Sequence, residues 1–104
     1  MNDNCNFSDY TLVLSGAARK TLKKIPKKDR LVILEKLDLL KDNKKLLDVK
    51  RFKKIKFLYR IRVGNYRIVY KPDHDKKIIS VIVIGNRKDV YKLLNILSYF
   101  VSFL

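Results

Sequence analysis

The sequence predicts an α+β domain in the order strand, two helices, a three-strand meander and a final helix. Three observations carry that expectation. A short β-prone run precedes two basic stretches whose apolar residues recur at helical spacing. Strict alternation flanks Gly64-Asn65, as in a hairpin. A strand apolar on both faces then leads into a last stretch of helical period. At 104 residues, one domain spanning 1–104 is expected.

Residues 1–9 read as a loose polar leader, and Tyr10-Thr11-Leu12-Val13-Leu14 as the first strand. Ser15 stands where an N-cap belongs, and Ala18, Leu22 and Ile25 follow at i, i+4 and i+7 on a basic helix. Pro26 ends that helix and suits the start of the next, because its missing N–H would be unpaired there anyway. From Lys27 to Lys41, Leu31, Leu34, Leu37 and Leu40 recur near the helical period, and so short a break predicts an antiparallel helical hairpin. Residues 42–55 are a loop or a ragged edge strand, whose lysines discourage sheet-to-sheet pairing.

Phe57, Tyr59, Ile61 and Val63 then alternate with Leu58, Arg60 and Arg62, and residues 66–71 return after the Gly64-Asn65 turn. Pro72-Asp73-His74-Asp75 makes the next turn, which leaves His74 a surface residue with no catalytic role. Residues 77–84 suit a strand covered and flanked by neighbours. From Lys88 onward Val90, Leu93, Leu94, Leu97, Val101 and Leu104 share a helical face, and 98–104 form an apolar extension.

Hydrophobic residues at 47% are enough for a folded core, although folding at this size hides only about two-thirds of the extended chain's surface. Lys and Arg number 25 against 10 acids, a net charge of +15 that makes a polyanion the expected partner. A single Cys and a single His argue against a disulfide framework, a zinc site or a Cys/His catalytic pair. The three glycines form no phosphate-binding fingerprint, so no nucleotide cofactor is expected. The N-terminus does not read as a signal peptide, and the apolar run at 93–104 is well short of the roughly 20 residues that span a membrane. A cytoplasmic protein without membrane partners is the reading.

A two-residue turn at Gly64-Asn65 sets Arg62 directly opposite Arg67 and Arg60 opposite Val69, with Ile61–Ile68 and Tyr59–Tyr70 on the other side. One face of the hairpin is then a dry core, and the other carries three guanidiniums plus Lys71. Like charges directly opposite on a sheet destabilise it, so the placement makes sense if a polyanion neutralises the cluster. Between Lys44 and Lys71 eleven basic residues face one acid, Asp48. For Lys44, Lys45, Lys53 and Lys54 a solvated edge is the ordinary account. Arg60, Arg62 and Arg67 are different, because a guanidinium grips phosphate oxygens in pairs where lysine would serve solubility equally well. Arg87 projects at a strand end and helix start, where loose amide donors also favour anions. Tyr91, one turn on, alone reads as a half-buried helix residue; beside Arg87 its ring could stack on a base.

The segments Leu58-Tyr59-Arg60-Ile61-Arg62-Val63-Gly64-Asn65-Tyr66-Arg67-Ile68-Val69-Tyr70 and Val83-Ile84-Gly85-Asn86-Arg87-Lys88-Asp89-Val90-Tyr91 resemble the RelE/ParE superfamily of toxin–antitoxin toxins. The resemblance runs from Tyr10 to about Leu97. It implies a RelE-like β-α-α-β-β-β-α fold, with a curved, mainly antiparallel sheet and two helices packed on one face. The RelE branch cuts ribosome-bound mRNA by attack of a 2′-hydroxyl on the adjacent phosphate, leaving a 2′,3′-cyclic phosphate and a 5′-hydroxyl, without metal or cofactor. Family positions for that work map onto Arg60, Arg62, Arg67, Arg87 and Tyr91. Arg67 and Arg87 would stabilise the pentacoordinate phosphorus, and Tyr91 would stack on or orient the nucleotide. The best-described pattern has lysines where this chain has Arg60 and Arg62, one of them a general base. Arginine is a poor proton acceptor, so Tyr91, a ribosomal group or water would take the proton, or catalysis would depend on electrostatics and positioning.

RNA contacts are expected further afield, from Arg19, Lys20, Lys23, Lys24, Lys27 and Lys28 on the helical hairpin and from Lys53, Lys54 and Lys71, although each lysine singly also suits a solvated face. The implied partners are a cognate RelB-like antitoxin, mRNA on the ribosome and ribosomal RNA, the toxin being a monomer or dimer within its antitoxin complex. Packing on the sheet is the plain account of Leu97 and Val101; Phe100 and Phe103 stay open between packing and a partner contact. Two rival readings remain: a ParE-like DNA gyrase inhibitor that cuts nothing, and a non-catalytic RNA- or ribosome-binding protein.

Overall fold

A computed structural model of the chain describes residues 6–93. Residues 1–5 of the leader lie outside them, as do Leu94, Leu97, Val101 and Leu104 of the last helical face and the whole 98–104 extension with Phe100 and Phe103. The elements are β1 (Thr11–Leu14), α1 (Gly16–Lys24), α2 (Lys27–Asp42), a single 3₁₀ turn (Lys44–Leu46), β2 (Asp48–Arg51), β3 (Tyr59–Val63), β4 (Tyr66–Asp73) and β5 (Ile78–Asn86). A third helix, α3, occupies residues 87–93 as far as the description extends. The α+β class stands, and the 42–55 stretch holds both a 3₁₀ turn and a four-residue edge strand, β2, before it loops on toward β3. Five strands run in the order β1-β5-β4-β3-β2, with β1 parallel to β5 and every other pair antiparallel.

The two helices cover one face of this sheet. Ala18, Leu22 and Ile25 from the first, with Ile33, Leu37 and Leu40 from the second, share one core with Tyr59, Ile61, Val63, Ile68, Tyr70, Ile79, Val81 and Ile84. Each helix packs chiefly on the sheet, α1 against β5 and α2 toward β3. Within the core Tyr59 and Tyr70 stack at 5.5 Å, and burial pushes the Tyr70 hydroxyl well above its ordinary pKa.

Two expectations need correction. The leucines at helical spacing in α2 do not all face inward: Leu31 and Leu34 are 55% and 38% exposed, while Ile33 is fully buried. A spacing of three drifts steadily around a helix of 3.6 residues per turn, whereas 33, 37 and 40 keep to one side. Nor is the leader loose throughout. Phe7 is buried, 4.9 Å from the Tyr10 ring and stacked on His74, and Asp9 pairs with Lys77 at 2.7 Å. His74 is on the surface as expected, yet its Nδ1 lies 2.7 Å from the Tyr10 hydroxyl.

Strand β5 has to serve both faces, and simple alternation would send Val81 and Ile84 to opposite sides. A bulge corrects this: Val69 pairs with Val83 and Tyr70 with Val81, which leaves Ile82 as the extra residue. Its carbonyl is taken by Ser15, whose hydroxyl donates to it at 2.6 Å. The same hydroxyl accepts the Ala18 N–H at 3.0 Å as the expected N-cap of α1, and the Ser15 N–H donates to the Val81 carbonyl at 2.9 Å. One side chain therefore joins the helix start to the irregularity in the sheet. No helix among the described residues is long and apolar enough to cross a membrane.

Ser15→Ala removes the cap and strands the bulge carbonyl, so unfolding in urea should show a stability loss of about 1–3 kcal/mol with an unchanged m-value.

Candidate nucleic-acid interface

The face turned away from α1 and α2 holds the arginines. Gly64 opens the β3–β4 turn with φ of 57° while Asn65 keeps a negative φ, the pattern of a II′ hairpin turn. That two-residue turn fixes the register as expected, with Arg62 opposite Arg67, Arg60 opposite Val69 and Tyr59 opposite Tyr70. Partners across an antiparallel pair share a face, so Arg60, Arg62, Arg67 and Lys71 lie on one surface. Between them is a small apolar cluster of Leu58, Val69, Val83 and Val90, flanked by Phe52, Ile55, Ile82 and Tyr91.

The guanidiniums are not equivalent. Arg62 is exposed, as the alternation predicts. Arg67, also expected on the surface, is 6% exposed: its Nη1 folds over the turn and donates to the Gly64 and Tyr66 carbonyls, both at 2.9 Å. This is the physical answer to the opposed charges, since one of the two withdraws onto the partial negative charge of its own turn. Arg60 is half-buried, with Nη1 3.7 Å from Asp48 Oδ1. Arg60 Nη1 and Arg67 Nε are buried and have no hydrogen-bond partner among the described residues. Unpaired buried donors are costly, and two on one basic face suit an incoming anion.

The start of α3 is brought to this face by its backbone. Arg67 pairs with Gly85 and Tyr66 with Asn86. The Arg87 N–H donates to the Asn65 carbonyl at 3.0 Å, which roots the helix on the hairpin turn. Asn86 caps it, accepting the Asp89 N–H at 3.1 Å while its amide donates to the Asp89 carboxylate at 2.9 Å. A Cβ on Gly85 would stand 3.2 Å from Val90 Cγ2, so glycine there lets the helix settle on the sheet. Arg87 is exposed at the first position of α3, and Tyr91 is half-buried beside the apolar cluster. On the opposite face the Tyr66 hydroxyl donates to the Asp29 carboxylate at 2.9 Å, tying the hairpin to α2 and raising the Tyr66 pKa.

The other basic residues are dispersed. Arg19, Lys20, Lys23, Lys24, Lys27 and Lys28 are exposed, but on the helical layer behind the sheet. Lys24 alone of these shares with Asn86, Asp89 and Leu93 a cavity of about 340 Å³ between α1 and α3. Lys53 and Lys54 lie in the β2–β3 connection, and exposed Lys71 is at the far end of β4. The sequence reading missed the contribution of β2. Asp48 pairs with Arg62 and Lys50 with Arg60, so a carboxylate and an ammonium join the arginine face. The signal was the polar–Val49–polar alternation, with Val49 packed against the core.

A family model described as the ParE toxin of type II toxin–antitoxin system, parDE, matches residues 12–91. A curated RelE1 toxin homologue from Methanocaldococcus jannaschii is 34% identical over 76 residues, covering 70% of this chain and 84% of that protein. Among solved structures, the archaeal RelE-RelB complex from Pyrococcus horikoshii OT3 contains a chain 26% identical, with a TM-score of 0.64 over 75% of this chain and 94% of that one. The RelB-RelE antitoxin-toxin complex from Methanococcus jannaschii gives 28% identity and a TM-score of 0.65 over 78% and 96%.

The unequal burial of the arginines separates two variants. Arg67→Ala should lower unfolding stability by about 1–3 kcal/mol, because it leaves two turn carbonyls without their donor. Arg87→Ala, on the surface, should stay within about 0.5 kcal/mol of the parent; denaturant titration reads both.

Proposed function

The chain belongs to the RelE/ParE superfamily, the toxins of type II toxin–antitoxin systems, and on that footing we propose that it is an endoribonuclease toxin that cuts mRNA on the ribosome and is held inactive by a cognate RelB-like antitoxin. One observation carries the reading: two opposed arginines share a face where two buried guanidinium nitrogens, Arg60 Nη1 and Arg67 Nε, have no hydrogen-bond partner among the described residues.

The chemistry follows from charge. Attack of the ribose 2′-oxygen on the neighbouring phosphorus forms the cyclic phosphate and breaks the bond to the 5′-oxygen, which takes a proton from water and leaves as a hydroxyl. Negative charge accumulates on the phosphoryl oxygens in between. Exposed Arg62 and Arg87 are suited to grip those oxygens in pairs. Arg60 Nη1 and Arg67 Nε would donate as the charge grows, against an apolar floor of Leu58, Val69, Val83 and Val90 that strengthens each interaction. Arg67 is prefixed by its turn, which limits reorganisation during the reaction. Tyr91 would stack on the nucleobase and align the 2′-hydroxyl.

Arginine cannot take the hydroxyl proton. Asp48, paired with Arg62 across the strands and 3.7 Å from Arg60, brings a carboxylate to the cluster and is our choice of general base. Beyond the site, the net charge of +15 favours ribosomal RNA through counterion release, and would equally attract an acidic antitoxin segment.

The ParE description of the matching family supports a second reading, in which the same fold binds DNA gyrase and cuts nothing. Identity to RelE proteins favours RNA cleavage. Cell-free translation followed by primer extension decides between them. Cuts within ribosome-bound codons, ending in 2′,3′-cyclic phosphate, are expected. Intact mRNA with gyrase-dependent DNA breaks would establish the second reading, and intact mRNA with bound ribosomes a plain binding protein. In the same assay Arg87→Ala should slow cleavage about 10²- to 10³-fold, and Asp48→Asn about 10²- to 10⁴-fold. Asp48→Asn should leave affinity for an uncleavable 2′-O-methyl RNA undiminished.

A further inference from the structure

Residues 52–58 join β2 to β3, and the Phe52 N–H donates to the Leu58 carbonyl at 2.9 Å, closing the connection at its base. Phe52 and Ile55 turn inward against the apolar cluster of the arginine face. Phe57 does not: it is 52% exposed and belongs to neither cluster. Its φ is 61°, in the left-handed region that disfavours a bulky L-residue and suits Asn or Gly. Folding explains neither the exposed ring nor the backbone that presents it, since Asn at this position would remove both costs. Strained backbone of this kind is concentrated at functional positions.

The surroundings indicate what the ring is for. Arg51, Phe52, Lys53, Lys56, Phe57 and Tyr59 line an open cavity of about 420 Å³. The chain carries no acid from Val49 to Pro72. A ligand for this cavity has to bring negative charge together with a flat apolar face, and a nucleotide of an unpaired strand does both. We propose that Phe57 is a stacking platform for an unpaired base of single-stranded RNA, with Arg51, Lys53 and Lys56 contacting the phosphates on either side. The cavity is distinct from the cleavage face: Arg51 and Tyr59, which line it, pair with each other on the side of the sheet opposite Arg60 and Arg62. It would hold the RNA away from the scissile bond. The inference rests on the ribonuclease reading only in taking RNA as the ligand.

The test uses the full chain and a fluorescein-labelled single-stranded 2′-O-methyl RNA, which has no 2′-hydroxyl to attack and reports binding whether or not the protein cleaves. Fluorescence anisotropy over a range of salt should show Phe57→Asn binding about 5- to 100-fold more weakly. Its salt slope should be unchanged, because no cation has been removed. Phe57→Trp should restore the affinity, and Lys53→Ala or Lys56→Ala should each reduce the slope by about one. The melting temperature of Phe57→Asn should equal or exceed that of the parent. Equal RNA affinity in Phe57→Asn overturns the proposal. So does a fall of several degrees in its melting temperature, which would make the ring a packing residue, or loss of antitoxin capture with RNA binding intact, which would make it a protein contact. Failure of mRNA cleavage in translation, by contrast, bears on the catalytic reading alone.

Discussion

The structure depends on the register of one hairpin. A two-residue turn at Gly64-Asn65 leaves no freedom in how β3 meets β4, and that pairing sets two arginines directly against each other. Like charges so placed cost a few tenths to about 1 kcal/mol, and the molecule relieves this locally. Arg67 lies down over the turn, Arg62 stays in solvent, and Asp48 from the edge strand faces Arg62 from the other side. The result is a graded set of cations, one anchored, one half-sheltered against a carboxylate and one exposed. That gradation suits a face which binds an anion and then has to stabilise more charge on it.

Everything else holds that face in place. The sheet separates a large core under the helices from a small apolar floor beneath the arginines. Strand β5 supplies both layers only because Ile82 is an extra residue, and Ser15 ties that irregularity to the start of α1. The bond from the Arg87 amide to the Asn65 carbonyl links α3 to the hairpin, so Arg87 and Tyr91 are held relative to β3 and β4 by main-chain contacts as well as side-chain packing. In the proposed reaction positioning matters as much as charge, and the positioning of this face resides in backbone pairing.

Much of this was legible in the residues, and the limits have physical causes. Alternation and a Gly-Asn turn are strictly local, so the hairpin register followed pair by pair, and Ser15 was readable as a cap because capping needs only neighbouring amides. Arg67 was not, because its burial comes from a rotamer folding onto carbonyls that any turn would offer. The inner face of α2 was only partly legible, because four leucines at a spacing of three are more conspicuous than Ile33, which joins Leu37 and Leu40 on the buried side. Phe7 was lost in a polar leader because its partner ring, His74, is far along the chain. Strand β2 was ambiguous because lysines suit a loop and a protected sheet edge equally, and with it went the placement of Asp48 and Lys50.

The contact beneath α3 has a consequence of its own. With 3.2 Å between the place of a β-carbon on Gly85 and the Val90 methyl, the helix rests almost on bare main chain. Even the β-carbon of alanine would press on that methyl, so Val90 would have to give by a few tenths of an ångström in the helix that carries Arg87 and Tyr91. The seat of α3 on the sheet is therefore set at a position that offers no functional group to any ligand.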